Sequence, residues 1–148
     1  MGSYKRQLVE TDIAGAAGSV SDLTDLGAEA REIVDNAPEG LNQTQRIQTF
    51  EETASNLEYL DGPDVPEFLS ELPVKYTIMV SKRRGESRAV RCENATAALE
   101  AAIEATEEFM ENCTEEQSEQ REEAETFRDA LREIVDTAQS CEFPGMFG

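Results

Sequence analysis

The chain has no histidine and no tryptophan, only three lysines, and three cysteines too scattered to form a motif. Each absence removes a class of function. Without histidine, acid–base work at neutral pH falls to carboxylates, Lys, Tyr or Cys, which argues against an enzyme. Cys92, Cys113 and Cys141 are odd in number and lack CxxC or Cys/His companions, so they form neither a disulfide framework nor a zinc site and read as buried thiols. No run of about 18 apolar residues exists, so no membrane-spanning helix is expected. The polar opening with Lys5 and Arg6 is followed by no apolar stretch, so no signal peptide is expected and the location inferred is a cytoplasm, a host's if the protein is viral, or a virus particle. Gly15, Gly18 and Gly27 follow no expected strand and no GK[ST] occurs, which excludes a phosphate-binding loop; no cofactor is expected.

What is abundant is negative charge. The 148 residues carry 32 Asp plus Glu against 13 Lys plus Arg, a net charge of -19. Such a surface disfavours nonspecific binding to nucleic acid and suits a protein that works by touching another macromolecule. Two origins of the acidity stand side by side. A salt-loving or high-GC source yields acidic, Lys-poor proteins, whereas the excess of Glu over Asp and the uneven placement of charge along the chain point to function. The apolar share is 39%, with nine Phe plus Tyr, so the core is built from Ala, Leu, Ile and Val, as suits closely packed helices.

Small or apolar residues at Val9, Ile13, Ala16, Val20, Leu23, Gly27, Ala30 and Val34 alternate spacings of four and three, which predicts one long helix, or two with a break near 15–19, over residues 4–36. Asn42 and Gln45 read as a cap for a second helix marked by Ile47, Phe50, Ala54 and Leu57 and running to about Leu60. Turn chemistry follows at 61–66, and 67–72 allows only a short helix before Pro73. Val74, Tyr76, Ile78 and Val80 alternate with polar neighbours and give the only convincing strand signal; 87–92 reads as strand or, preferably, as the start of a helix capped by Ser87. Two further stripes, Cys92 to Cys113 and Ala124 to Cys141, flank a capping box at Thr114 and Gln117 and predict an antiparallel hairpin about 35 Å long. Arg-Glu-Ile-Val-Asp occurs at both 31–35 and 132–136, a hint of hairpin duplication.

The fold expected is therefore mainly α: two antiparallel helical hairpins with coiled-coil-like packing, joined by a short strand or β-hairpin segment. The divisions are a hairpin over 1–60, a Pro/Gly linker with strand and basic turn over 61–87, an acidic hairpin over 88–141 and an apolar tail over 142–148, together one compact domain.

Three constellations could carry function. Residues 93–136 hold fifteen carboxylates and three arginines, so the second hairpin presents a negative rod, with Glu100, Glu104, Glu107, Glu108, Glu111, Glu115, Glu119 and Glu122 as its interaction face. Spaced carboxylates of this kind imitate DNA phosphates; the plainer reading is a solvated helix pair. Lys82, Arg83, Arg84, Arg88 and Arg91 form a basic patch able to grip phosphate or the acidic helix of a second copy, the one place where direct nucleic-acid binding is conceivable. Tyr76 beside it stacks on a base or joins the core. Phe143, Met146 and Phe147 tuck back onto the bundle or anchor a partner.

Glu107-Glu108-Phe109-Met110-Glu111 with Glu133-Ile134-Val135-Asp136 resembles the EExxE and ExxD pair of the all-α nucleoside-triphosphate pyrophosphatases. That resemblance implies Mg²⁺ held by carboxylates of two helices, but within one hairpin Glu108 and Glu111 sit at the bend and Glu133 and Asp136 about 27 Å along it. The run from Pro66 to Ile103, with Ser-Lys-Arg-Arg-Gly-Glu-Ser-Arg-Ala-Val-Arg-Cys-Glu-Asn-Ala before an Ala/Leu helix, resembles small acidic proteins of tailed phages of high-GC hosts. It implies a phage-like setting in which such proteins inhibit host factors or build particles. Expected partners are a protein, including a nucleic-acid-binding protein or virion neighbours, and further copies of the chain, because stripes this regular resemble coiled-coil seams.

Overall fold

The computed structural model describes residues 4–38, 40, 44–81 and 85–144. In chain order it contains strand β1 (Tyr4–Asp12), the five-residue α1 (Ile13–Ala17), α2 (Val20–Asp35), α3 (Gln45–Leu57), the short α4 (Glu67–Ser70), strand β2 (Pro73–Ser81), and the long helices α5 (Arg88–Glu111) and α6 (Ser118–Gln139). The chain is mainly helical, and α2 packs on α3 and α5 on α6 as two hairpins.

Residues 4–12 depart from expectation, being a strand rather than the first third of a helix. The spacing from Val9 to Ile13 suggested helix, but the segment holds Tyr4, Val9 and Thr11, which suit a pleated surface, and its partner lies sixty residues away where no local pattern reveals it. β1 runs antiparallel to β2 with Tyr4 opposite Ser81, Leu8 opposite Thr77 and Asp12 opposite Pro73. Asp12 ends the strand and starts α1, its Oδ1 accepting from the Gly15 amide at 2.7 Å. Gly15 and Gly18 thus do follow a strand, contrary to expectation, although GK[ST] is still absent. The break expected near 15–19 falls at Gly18 and Ser19, and Ser19 makes no side-chain cap.

Other local signals hold. Ser87 caps α5 through the Val90 amide at 3.3 Å, so 88–92 is helix. Thr114 and Gln117 form the capping box at the bend, with the Thr114 amide donating to Gln117 Oε1 at 3.0 Å. The cap of α3 is Thr44, accepting from the Ile47 amide at 3.3 Å; Asn42 lies outside the described residues.

One large core gathers Ile13, Leu23, Leu26, Leu57, Leu69, Leu99 and Leu131, all with no exposed surface; a smaller one joins Ala30, Phe50 and Ala54. α5 lies at the centre, packed on α6, β2, α1 and α2. Its expected stripe is buried from Cys92 to Thr106, and so are Ala98, Ala101 and Ile103 off the stripe, because small side chains admit neighbours on several sides. Most stripe residues are covered within one molecule, while Val34, Phe109, Cys113 and Cys141 are half-buried.

α2 and α3 touch where Gly27 meets the end of α3. A Cβ at Gly27 would lie 2.3 Å from the Glu58 amide nitrogen and 2.6 Å from its Cα, both main-chain atoms that cannot step aside. Gly27→Ala should therefore lower stability by about 2 kcal/mol despite the better helix propensity of alanine, measured as a drop in urea midpoint at unchanged slope.

Candidate functional site

The acidic face is built by the outward sides of α5 and α6. Of the eight residues chosen from sequence, Glu100, Glu104, Glu108, Glu111, Glu115, Glu119 and Glu122 are exposed, while Glu107 is half-buried and turned toward α6. Glu107 Oε2 accepts from Arg128 at 3.0 Å and from Arg132 at 3.1 Å, and Arg128 also reaches Asp129 at 2.7 Å. Two of the three arginines of the hairpin are thus tied to Glu107, Arg128 half-buried and Arg132 exposed. Among the described residues Glu100 alone of the exposed glutamates of this face has a side-chain hydrogen bond, accepting from Gln139 Nε2 at 3.0 Å. The face is not one plane: Glu104, Glu108 and Glu111 lie beside Pro73 and Lys75, whereas Glu119 and Glu122 lie beside the Pro63 to Pro66 turn.

The pyrophosphatase-like carboxylates are arranged differently from a two-helix metal cradle. Asp136 lines a groove with Glu100, Glu104 and Glu107, but Arg132 stands in the same groove and Glu111 does not reach it. Among the described residues no group of three or more His, Cys, Asp or Glu converges closely enough to hold a metal ion.

Lys82, Arg83 and Arg84 of the basic patch lie outside the described residues. The other two members are bound internally. Arg91 engages both carboxylate oxygens of Glu29 on α2, one at 2.9 Å, and Arg88 reaches Glu29 Oε1 at 3.2 Å. Arg88 also lies 6.0 Å from the centre of the Phe50 ring. Glu29 is held below the ordinary carboxylate value of 4.5, first by its hydrogen bond with Arg91. The patch therefore works here as a clamp from the start of α5 to the middle of α2. Phe143 of the tail packs, half-buried, against the main core, and the Glu142 carbonyl accepts from Thr53 Oγ1 at 2.8 Å; Met146 and Phe147 lie outside the described residues.

Sequence reasoning missed the cleft between α2, β2 and α5, a space of about 280 Å³ lined by Ser19, Asp22, Tyr76, Ile78, Arg91, Asn94 and Ala95. Tyr76 is half-buried here and packs on the core, and burial raises its hydroxyl above the ordinary value. Asp22 is raised by burial and by Asp25, against the pull of Arg91. Asp22, Asp25 and Glu29 at helical spacing on α2, facing Arg88 and Arg91 three apart on α5, were the available signal. Cys92 is buried and its thiol is pushed up to about 11 by burial, far from a neutral-pH nucleophile; Cys113 and Cys141 are half-buried and free.

Among the described residues no helix is long and apolar enough to cross a membrane. No family model, curated protein or solved structure significantly matches this chain.

The Glu29 clamp predicts a pH signature. Because the folded-state value of Glu29 is depressed, its contribution is present above the unfolded value and is lost as pH falls through the folded one. Glu29→Gln should cost about 1 kcal/mol at neutral pH, a figure reduced for partial exposure of the pair. Urea unfolding at neutral and at acid pH checks it: the gap between the two proteins should close in acid, below the depressed value.

Proposed function

We propose that the chain is a non-catalytic acidic interaction protein whose α5–α6 hairpin takes the place of a nucleic-acid strand in the basic groove of a nucleic-acid-binding protein. The observation that supports this reading is the pairing of the half-buried Arg128 and the exposed Arg132 with the same carboxylate, Glu107, while Glu100, Glu104, Glu108, Glu111, Glu115, Glu119 and Glu122 stay exposed. Fifteen carboxylates against three arginines over 93–136 leave a net of twelve negative charges. Spread along a hairpin the length of the 24-residue α5, that is one net charge per about 3 Å. A single strand of duplex DNA carries one per about 3.4 Å. Charge of that density attracts a basic groove by the same long-range field as nucleic acid and releases the same counterions. The setting is phage-like by the resemblance of Pro66 to Ile103, and inhibition of a host nucleic-acid-binding protein is the activity proposed. No cofactor enters this reading.

The test is displacement. A labelled DNA duplex is bound to each of a panel of basic DNA- and RNA-binding proteins, and fluorescence anisotropy follows its release as the chain is added. Release from at least one member is expected, strong at low salt and lost at high salt. Reversing Glu104, Glu108 and Glu111 together to lysine should weaken it tenfold or more. The reading fails if no member releases DNA, or if the triple reversal competes as well as the natural chain.

A further inference from the structure

The two-stranded sheet is capped at Met79 and Ser81 on one side and open along the other. On the outer side of β2 the Met79 amide donates to Asn94 Oδ1 and the Met79 carbonyl accepts from Asn94 Nδ2, both at 2.9 Å, so a side-chain amide of α5 occupies the place of a neighbouring strand. The Ser81 amide donates to Glu86 Oε1 at 2.8 Å, and Pro73 has no N–H to leave unpaired.

Main-chain groups alternate sides along a strand. Because those of Met79 and Ser81 point outward, those of Val74, Tyr76, Ile78 and Val80 point at β1, where they face Thr11, Val9, Gln7 and Lys5. The N–H and C=O groups of Arg6, Leu8 and Glu10 must then point away from β2, where they have no protein partner among the described residues. Among the described residues no helix other than the adjoining α1 makes more than slight contact with this strand, and Lys5 to Leu8 are exposed. The side chains of Arg6, Leu8 and Glu10 share the face turned from α5, and Leu8 is 59% exposed, one of two large apolar side chains in such a position among the described residues. A long uncovered edge carrying an apolar residue is what natural sheets ordinarily blunt or pair.

We propose that β1 is a dimerisation strand, taking a second copy of the chain antiparallel about a twofold axis at Leu8 to give a four-stranded sheet in the order β2-β1-β1-β2. The register follows from chemistry. Facing side chains across an antiparallel pair lie on the same face, so the axis must fall on a whole residue. An axis at Gln7 sets Arg6 against the partner's Leu8, and one at Val9 sets Leu8 against the partner's Glu10. At Leu8, each Arg6 faces the partner's Glu10, the two exposed leucines meet, and the outward main-chain groups of Arg6, Leu8 and Glu10 exchange about six hydrogen bonds. The interface is small beside the usual ~1,600 Å², and each copy carries a charge of -19, so the dimer is weak and micromolar. Its residues lie on β1 and none belongs to the acidic hairpin, so each reading can fail without the other.

Sedimentation velocity of the full chain over about two decades of concentration, at about 0.15 M salt to screen repulsion between the bodies, tests it. A monomer passing to a dimer is expected. R6E alone and E10R alone each set two like charges across the axis and should weaken dimerisation roughly tenfold or more. An equimolar mixture of R6E and E10R rebuilds both opposite-charge pairs in a heterodimer and should recover it. Leu8→Lys, on the solvent face, should lose the dimer at unchanged thermal midpoint. A natural chain that stays monomeric throughout overturns the proposal and leaves the edge to a strand of another protein. So does a dimer indifferent to R6E, E10R and Leu8→Lys, or a mixture that stays monomeric while circular dichroism shows both variants folded.

Discussion

Alanines 95, 98, 101 and 102 give α5 so little width that α1, α2, α6 and β2 can all approach it, and the placement of the other elements follows from that crowding. A helix lined with leucine on one side alone would bury one stripe and leave its flanks to water. Here the contact is spread around the axis, and apart from Leu99 of α5 itself the leucines come from other elements: Leu23 and Leu26 from α2, Leu131 from α6, Leu69 from α4. Burial of this kind is worth about 2 kcal/mol for each such side chain.

Polar contacts at the ends of α5 then fix orientation. At its start Arg88 and Arg91 hold Glu29, and one turn on Asn94 holds the main chain of β2. At its end the Thr114 and Gln117 box turns the chain back, and Glu107 receives two arginines from α6. The charges that matter for shape are therefore few and paired, and the many that remain outside are free to set the field around the molecule.

The helical hairpins were legible because their signals are local: a stripe, a cap and a turn lie within a few residues of one another, as at Ser87, Thr114 and Pro73. β1 was not, since Val9 and Ile13 fit a helix as well as a strand and the deciding partner, β2, is far away in sequence. The acidic hairpin could be read from counting alone. What counting could not assign was the destination of individual charges: Glu107, Arg88 and Arg91 look like surface residues in one dimension and become ties between helices in three. Gly27 likewise read as a defect in a helix, and its reason is a main chain thirty residues on, Leu57 and Glu58, that approaches too closely for any side chain.

The amide of Asn94 also limits how far the sheet can grow. A ribbon with two available sides can add copies indefinitely and run on as a filament; a ribbon stopped on one side can accept one neighbour only. By lodging a side chain where a further strand would lie, α5 turns an open-ended geometry into one that saturates after a single addition. It does so with one residue whose two polar atoms both find partners on Met79.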